Sequence, residues 1–137
     1  MFEFTPLDQG FALRMNSDLH NVDRCINRIR IFLDERDGAE HLFPLSLLAR
    51  EALNNAMIHG NGLDAAKTVF FRLLVREGGF DLDVEDQGPG FAWKEKLQAV
   101  SDVTVERGRG HEIYRNFARA VRYNATGNAL TLEYREQ

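Results

Sequence analysis

Two strand-like runs, Thr68–Arg76 and Phe80–Glu85, are separated only by a short turn at Gly78 and Gly79. Parallel neighbours need a crossover of about a dozen residues or more, so these runs must pair antiparallel as a hairpin. The same arrangement recurs near the end of the chain, where Arg122–Asn124 and Ala129–Tyr134 flank the turn-rich Asn124–Asn128. Earlier, Phe11, Leu13 and Met15 alternate with Ala12, Arg14 and Asn16, the period of a half-buried strand.

Between these strands the period changes. Leu19, Val22, Ile26, Ile29 and Leu33 recur at intervals of three and four, which predicts an amphipathic helix capped by Ser17 or Asp18 and running to about Glu35. Gly38 allows a turn. A second helix is expected to start between His41 and Leu45, with Pro44 in its first turn, and to end near Gly60 in a left-handed cap. Asn61–Lys67 reads as a loop, Gly88–Gly110 as a lid-like stretch with a short helix at Trp93–Val100, and His111 to about Val121 as a third helix. Strands joined mostly by turns predict an α+β fold: a two-layer sandwich with a mostly antiparallel sheet and helices on one face.

Residues 1–137 are expected to form one domain, since the length suits a single core. Seventeen basic residues against 21 acidic give a net charge of −4, so no positive field exists to hold nucleic acid or an anionic membrane. The single cysteine, Cys25, cannot form an internal disulfide, and no Cys/His pattern has zinc-ligand spacing. No export signal or spanning segment is evident, and a cytoplasmic location is expected.

Three short segments carry chemistry. On the second helix, at about 100° per residue, Glu51, Asn55 and His59 fall within roughly 80° of arc at the edge of the buried face. Asn55 offers a neutral oxygen suited to Mg²⁺, and Glu51 a carboxylate able to take a proton from an attacking hydroxyl. The same row also suits ordinary intrahelical hydrogen bonds. Directly after a strand, Asp86-Gln-Gly88-Pro-Gly90 combines a carboxylate that can accept from an exocyclic amine with glycines that let backbone approach a flat ligand. Taken alone it is a common turn. Gly108-Arg109-Gly110 opens a helix, where free N–H groups and the local dipole favour phosphate and Arg109 can add a charge-assisted bond. Gly62–Thr68 imitates a phosphate-binding loop, but Ala66 stands at its second glycine and a strand follows. Gly108-x-Gly110 also starts a dinucleotide fingerprint, yet Ile113 replaces the third glycine and no βαβ unit surrounds it.

In this order the three blocks resemble the GHKL (Bergerat-fold) ATPase superfamily, which includes histidine-kinase catalytic domains, type II topoisomerases and heat-shock chaperones. The sequences Glu51-Ala-Leu-Asn-Asn55-Ala-Met-Ile-His59-Gly60, Asp86-Gln-Gly-Pro-Gly90-Phe91 and Gly108-Arg-Gly110 look most like the stand-alone anti-sigma-factor serine kinases. The resemblance spans roughly Ser46 to Tyr134 and implies a Bergerat ATP-binding fold with ATP and Mg²⁺ as cofactors. It implies Glu51 as general base, Asn55 as Mg²⁺ ligand, Asp86 with Gly88 and Gly90 as adenine readers, and Gly108, Arg109 and Gly110 around the phosphates. The family usually has an apolar or aromatic residue where His111 stands. The implied activity is transfer of the γ-phosphoryl group to a serine of a STAS-class antagonist, with a sigma factor as the alternative partner; homodimerisation stays open. A nucleotide-regulated binding module without catalysis is a rival reading. So is a plain GHKL ATPase or histidine-kinase-type domain.

Overall fold

A computed structural model describes residues 1–90 and 107–136, with the side chains of 107–111 outside the description. Six strands form one sheet: β1 (Phe2–Leu7), β2 (Gly10–Asn16), β3 (Thr68–Arg76), β4 (Gly79–Glu85), β5 (Ala120–Tyr123) and β6 (Ala129–Arg135). Their order across the sheet is β1-β2-β3-β4-β6-β5, and every pairing is antiparallel. Helices α1 (His20–Asp34), α2 (Leu42–Asn54) and α3 (Arg107–Phe117) complete the α+β arrangement predicted from the turns.

The register explains why one face is apolar. Leu13, Phe71, Val84 and Leu130 stand opposite one another across four strands, as do Phe11, Leu73, Leu82, Leu132 and Val121 in the next row. These rows pack with Val22, Cys25, Ile29 and Leu33 of α1 and Leu45, Leu48 and Ala52 of α2 into one core. Cutting a fully buried leucine such as Leu48 or Leu82 to alanine would cost about 2–5 kcal/mol. The intervening rows, including Arg72, Asp83, Thr131 and Arg122, form the opposite face. There Arg72 pairs with Asp83 at 2.9 Å, and Arg76 and Arg135 each reach Asp81 at 3.0 Å. Arg119 and Arg122 hold Glu133 at 2.6 and 3.2 Å.

The structure differs from expectation at several places. β1 is an unforeseen edge strand. Its Pro6 lacks an N–H, which an edge tolerates, and α1 covers it through the guanidiniums of Arg24 and Arg28, 4.2 and 3.7 Å from the ring centres of Phe2 and Phe4. Neither Ser17 nor Asp18 is the N-cap of α1: that position is Leu19, without a side-chain capping bond, and Asp18 Oδ1 accepts the His20 N–H at 2.9 Å from one residue further back. After α1 the chain turns at Gly38, whose N–H bonds the Leu33 carbonyl at 2.8 Å, and Asp37 (φ 54°) takes the left-handed conformation. A 3₁₀ turn at Ala39–His41 precedes α2. His41 then fastens the sheet end to α2: one ring nitrogen pairs with the Tyr134 hydroxyl at 2.9 Å, the other with Glu136 at 3.0 Å and Glu40 at 3.4 Å.

The second helix continues as a π turn over Asn55–Gly60, closed by the Asn61 N–H on the Ala56 carbonyl. Gly60 is not its left-handed cap; Gly62 (φ 60°) and Leu63 (φ 56°) take that conformation. The third helix is Arg107–Phe117 rather than His111–Val121. The Arg119 N–H bonds the Glu133 carbonyl at 2.6 Å, so the chain has already joined the sheet and Val121 lies in β5. The helix expected at Trp93–Val100 and most of the expected lid lie outside the described residues. Among the described residues no helix is long and apolar enough to cross a membrane.

Candidate functional site

The second helix supplies the first wall. Glu51 and Asn55 stand one turn apart, and the Asn55 amide donates from Nδ2 to Glu51 Oε1 at 3.3 Å and to the Tyr114 hydroxyl on α3 at 3.4 Å. With its N–H groups directed at these two acceptors, the amide keeps Oδ1, a neutral oxygen of the kind hard cations accept, for another partner. The donor chemistry therefore fits a magnesium ion. The helix then widens into its π turn, a geometry that concentrates at functional sites.

The segment after β4 supplies the second wall, and glycine is required where it meets the π turn. A Cβ on Gly60 would collide with the Asp86 carboxylate, and one on Gly88 with the Gly60 carbonyl. Gly90 takes φ 79°, and a Cβ there would meet the Thr126 carbonyl. Asp86 Oδ1 accepts the Gly88 N–H at 2.8 Å. Burial nonetheless raises the Asp86 carboxyl above its ordinary range, opposed by that hydrogen bond and by the Lys67 charge. A half-buried carboxylate with acceptor capacity to spare can take a donor from outside the chain.

The two walls line an open cleft between the second helix and the segment after β4. Asn55, His59, Asp86 and Asn128 give it polar groups, while Ala52, Ala56, Val84 and Leu130 are its apolar surface. The structure thus brings Asn55, Asp86 and Gly90 to one cleft, with Glu51 bonded to Asn55 and Gly88 to Asp86. Gly108, Arg109 and Gly110 fall inside the first turn of α3 rather than ahead of it, and Gly110 stands one turn before the cleft residue Tyr114.

The model of the histidine kinase-like ATPase domain matches residues 17–134. The chain belongs to the histidine kinase-like ATPase family. No curated protein matches it. ATPase domains of this kind bind ATP, usually with Mg²⁺, and the chain is accordingly a GHKL-type nucleotide-binding module.

In this histidine kinase-like ATPase domain several positioning residues escaped the sequence reading. Asn61, at the start of the expected loop, is 3% exposed and ties together Ser17, Thr68 and Gln87. Its Nδ2 donates to Ser17 Oγ at 2.9 Å and the Thr68 carbonyl at 3.0 Å, and its Oδ1 accepts the Gln87 N–H at 2.8 Å. The β5–β6 connection closes the cleft from the other side: Asp86 N–H bonds the Asn128 carbonyl at 2.9 Å, and Gly127 and Asn128 line the cleft. Asn124 shapes that turn, its Oδ1 accepting from Gly127 and Asn128 N–H at 2.8 and 3.0 Å. The Asn-Ala-Thr-Gly-Asn composition signalled a turn but not its contact with Asp86. Tyr114 and Tyr123 also line the cleft, and nothing in their local pattern distinguishes them from core aromatics.

Proposed function

We propose that the chain is a Mg·ATP-dependent protein serine kinase of the anti-sigma-factor type, phosphorylating a STAS-class antagonist and alternatively holding a sigma factor. The observation that carries this reading is the alignment of Glu51 and Asn55 beside a cleft whose far wall presents Asp86. In it, Asp86 accepts the adenine exocyclic amine while Gly60, Gly88 and Gly90 allow the close approach of a flat base. Asn55 Oδ1 would hold a magnesium ion, which would supply charge neutralisation at the phosphates. The N–H groups of Gly108, Arg109 and Gly110 and the Arg109 guanidinium hold the phosphate tail, and Glu51 takes the proton from the attacking serine hydroxyl. The resemblance of the three motif blocks to stand-alone anti-sigma kinases supports the serine specificity and the choice of partner.

The test is incubation with labelled ATP and a purified STAS-domain partner. Label should appear on a partner serine, and Glu51→Ala should lower that transfer by about 10²–10⁴-fold while leaving ATP affinity within a few-fold. Transfer that survives undiminished in Glu51→Ala removes the base assignment, and nucleotide binding without transfer by the wild type removes the kinase reading.

A further inference from the structure

Tyr114 is 3% exposed and reaches the cleft from α3, the helix whose first turn holds Gly108–Gly110. A core-filling aromatic needs no hydroxyl there, yet this one lies 3.4 Å from Asn55 Nδ2. An amide NH₂ has two hydrogens at a fixed angle. One acceptor leaves the group free to swing, whereas two acceptors on different elements, Glu51 on α2 and Tyr114 on α3, fix its plane. Glu51 when ionised only accepts, so the pair selects the orientation that puts nitrogen toward Glu51 and Tyr114 and Oδ1 away from them. We propose that Tyr114 is a positioning residue that orients the Asn55 amide for a divalent cation and makes that orientation depend on the seating of α3.

This rests on the reading of Asn55 as a metal ligand. Because α3 carries both Tyr114 and the proposed phosphate-binding turn, displacement of that helix would loosen the cation and phosphate contacts together. Partners behind a ligand commonly change metal affinity by about 10–100-fold.

Tyr114→Phe keeps the ring and removes the hydroxyl. ATP affinity is measured by calorimetry in Mg²⁺ and in EDTA for wild type and variant, and the Asn55 side-chain amide is followed by NMR in the nucleotide-free protein. The expected result is unchanged affinity in EDTA, loss of about tenfold of the gain conferred by Mg²⁺, and faster exchange of the Asn55 amide protons. A magnesium gain within twofold of wild type overturns the proposal, as does an unchanged Asn55 amide. Should Tyr114→Phe fail to melt cooperatively, Tyr114→Met fills similar space and is judged by the same criteria. Wild type without any magnesium gain removes the Asn55 assignment and this proposal with it; a normal gain without serine transfer removes only the kinase reading.

Discussion

Asp81 lies within β4 and Asp86 directly after it, but they live in opposite surroundings. Asp81, on the sheet face away from the core, is held by Arg76 and Arg135, and its neighbours Asp83 and Glu133 have arginines of their own. Asp86, at the cleft, has the Gly88 N–H, and no arginine pairs with it among the described residues. The carboxyls respond accordingly: the Arg119 hydrogen bond, with the Arg122 and Arg119 charges, holds Glu133 below its ordinary range, while burial raises Asp86. One surface satisfies its charges internally. The other keeps acceptor capacity that a ligand can use.

The comparison breaks most visibly at Asp81. Asp81→Ala leaves Arg135, which is only 15% exposed, without its main partner, and should destabilise the fold by about 3 kcal/mol in chemical denaturation while ATP affinity stays unchanged. Asp86→Asn should do the reverse. Affinity for ATP should fall on the order of 100-fold in calorimetry, since a charge-assisted acceptor is lost. A folded-state pKa raised above the unfolded one gives stability that is full below the unfolded value and lost as pH rises through the folded value. At neutral pH the Asp86 carboxylate is therefore a net cost, and Asp86→Asn should melt at or above the wild-type temperature. A clear drop in melting temperature would place Asp86 with Asp81, as a structural charge.

The smallest effect is on pH dependence. As pH falls, Asp86 takes up its proton first, so ATP affinity should weaken from above the ordinary carboxylate range, and Asp86→Asn should lack that step. Glu133 has a lowered pKa, so its contribution to stability, present above the unfolded value, should persist until pH falls through the lower folded one. Melting curves and ATP titrations along one pH series test both. Loss of stability and of affinity at the same pH would erase the distinction between the two surfaces.

The two surfaces also differed in how legible they were. The hairpin at Gly78, the alternation in β2 and the stripe on α1 predicted the apolar rows, because local period and burial agree there. The nucleotide motifs fell on two walls of one cleft for the same reason: Glu51 and Asn55 depend on helical spacing, and Gly88 and Gly90 on backbone approach. What stayed hidden depends on distant partners. β1 is stabilised by Arg24 and Arg28 from another element, and Pro6 interrupts its pattern. The role of Gly60 is visible only once Asp86 lies against it, and that of Asn61 only once Ser17, Thr68 and Gln87 converge. The end of α3 was misplaced because Val121 continues a helical spacing while β6 draws it into the sheet.

The clasp of the Asn124–Asn128 turn on the segment after β4 makes nucleotide capture a property of the finished fold. Asn61 meets Gln87 26 positions along the chain, and Asn128 reaches Gly88 from 40 positions away. Contacts that distant require the entropy of closing the intervening chain to be overcome. Ligand affinity then acts as a check on the docking of that hairpin, and saturating ATP shifts the whole sheet toward its native state by mass action.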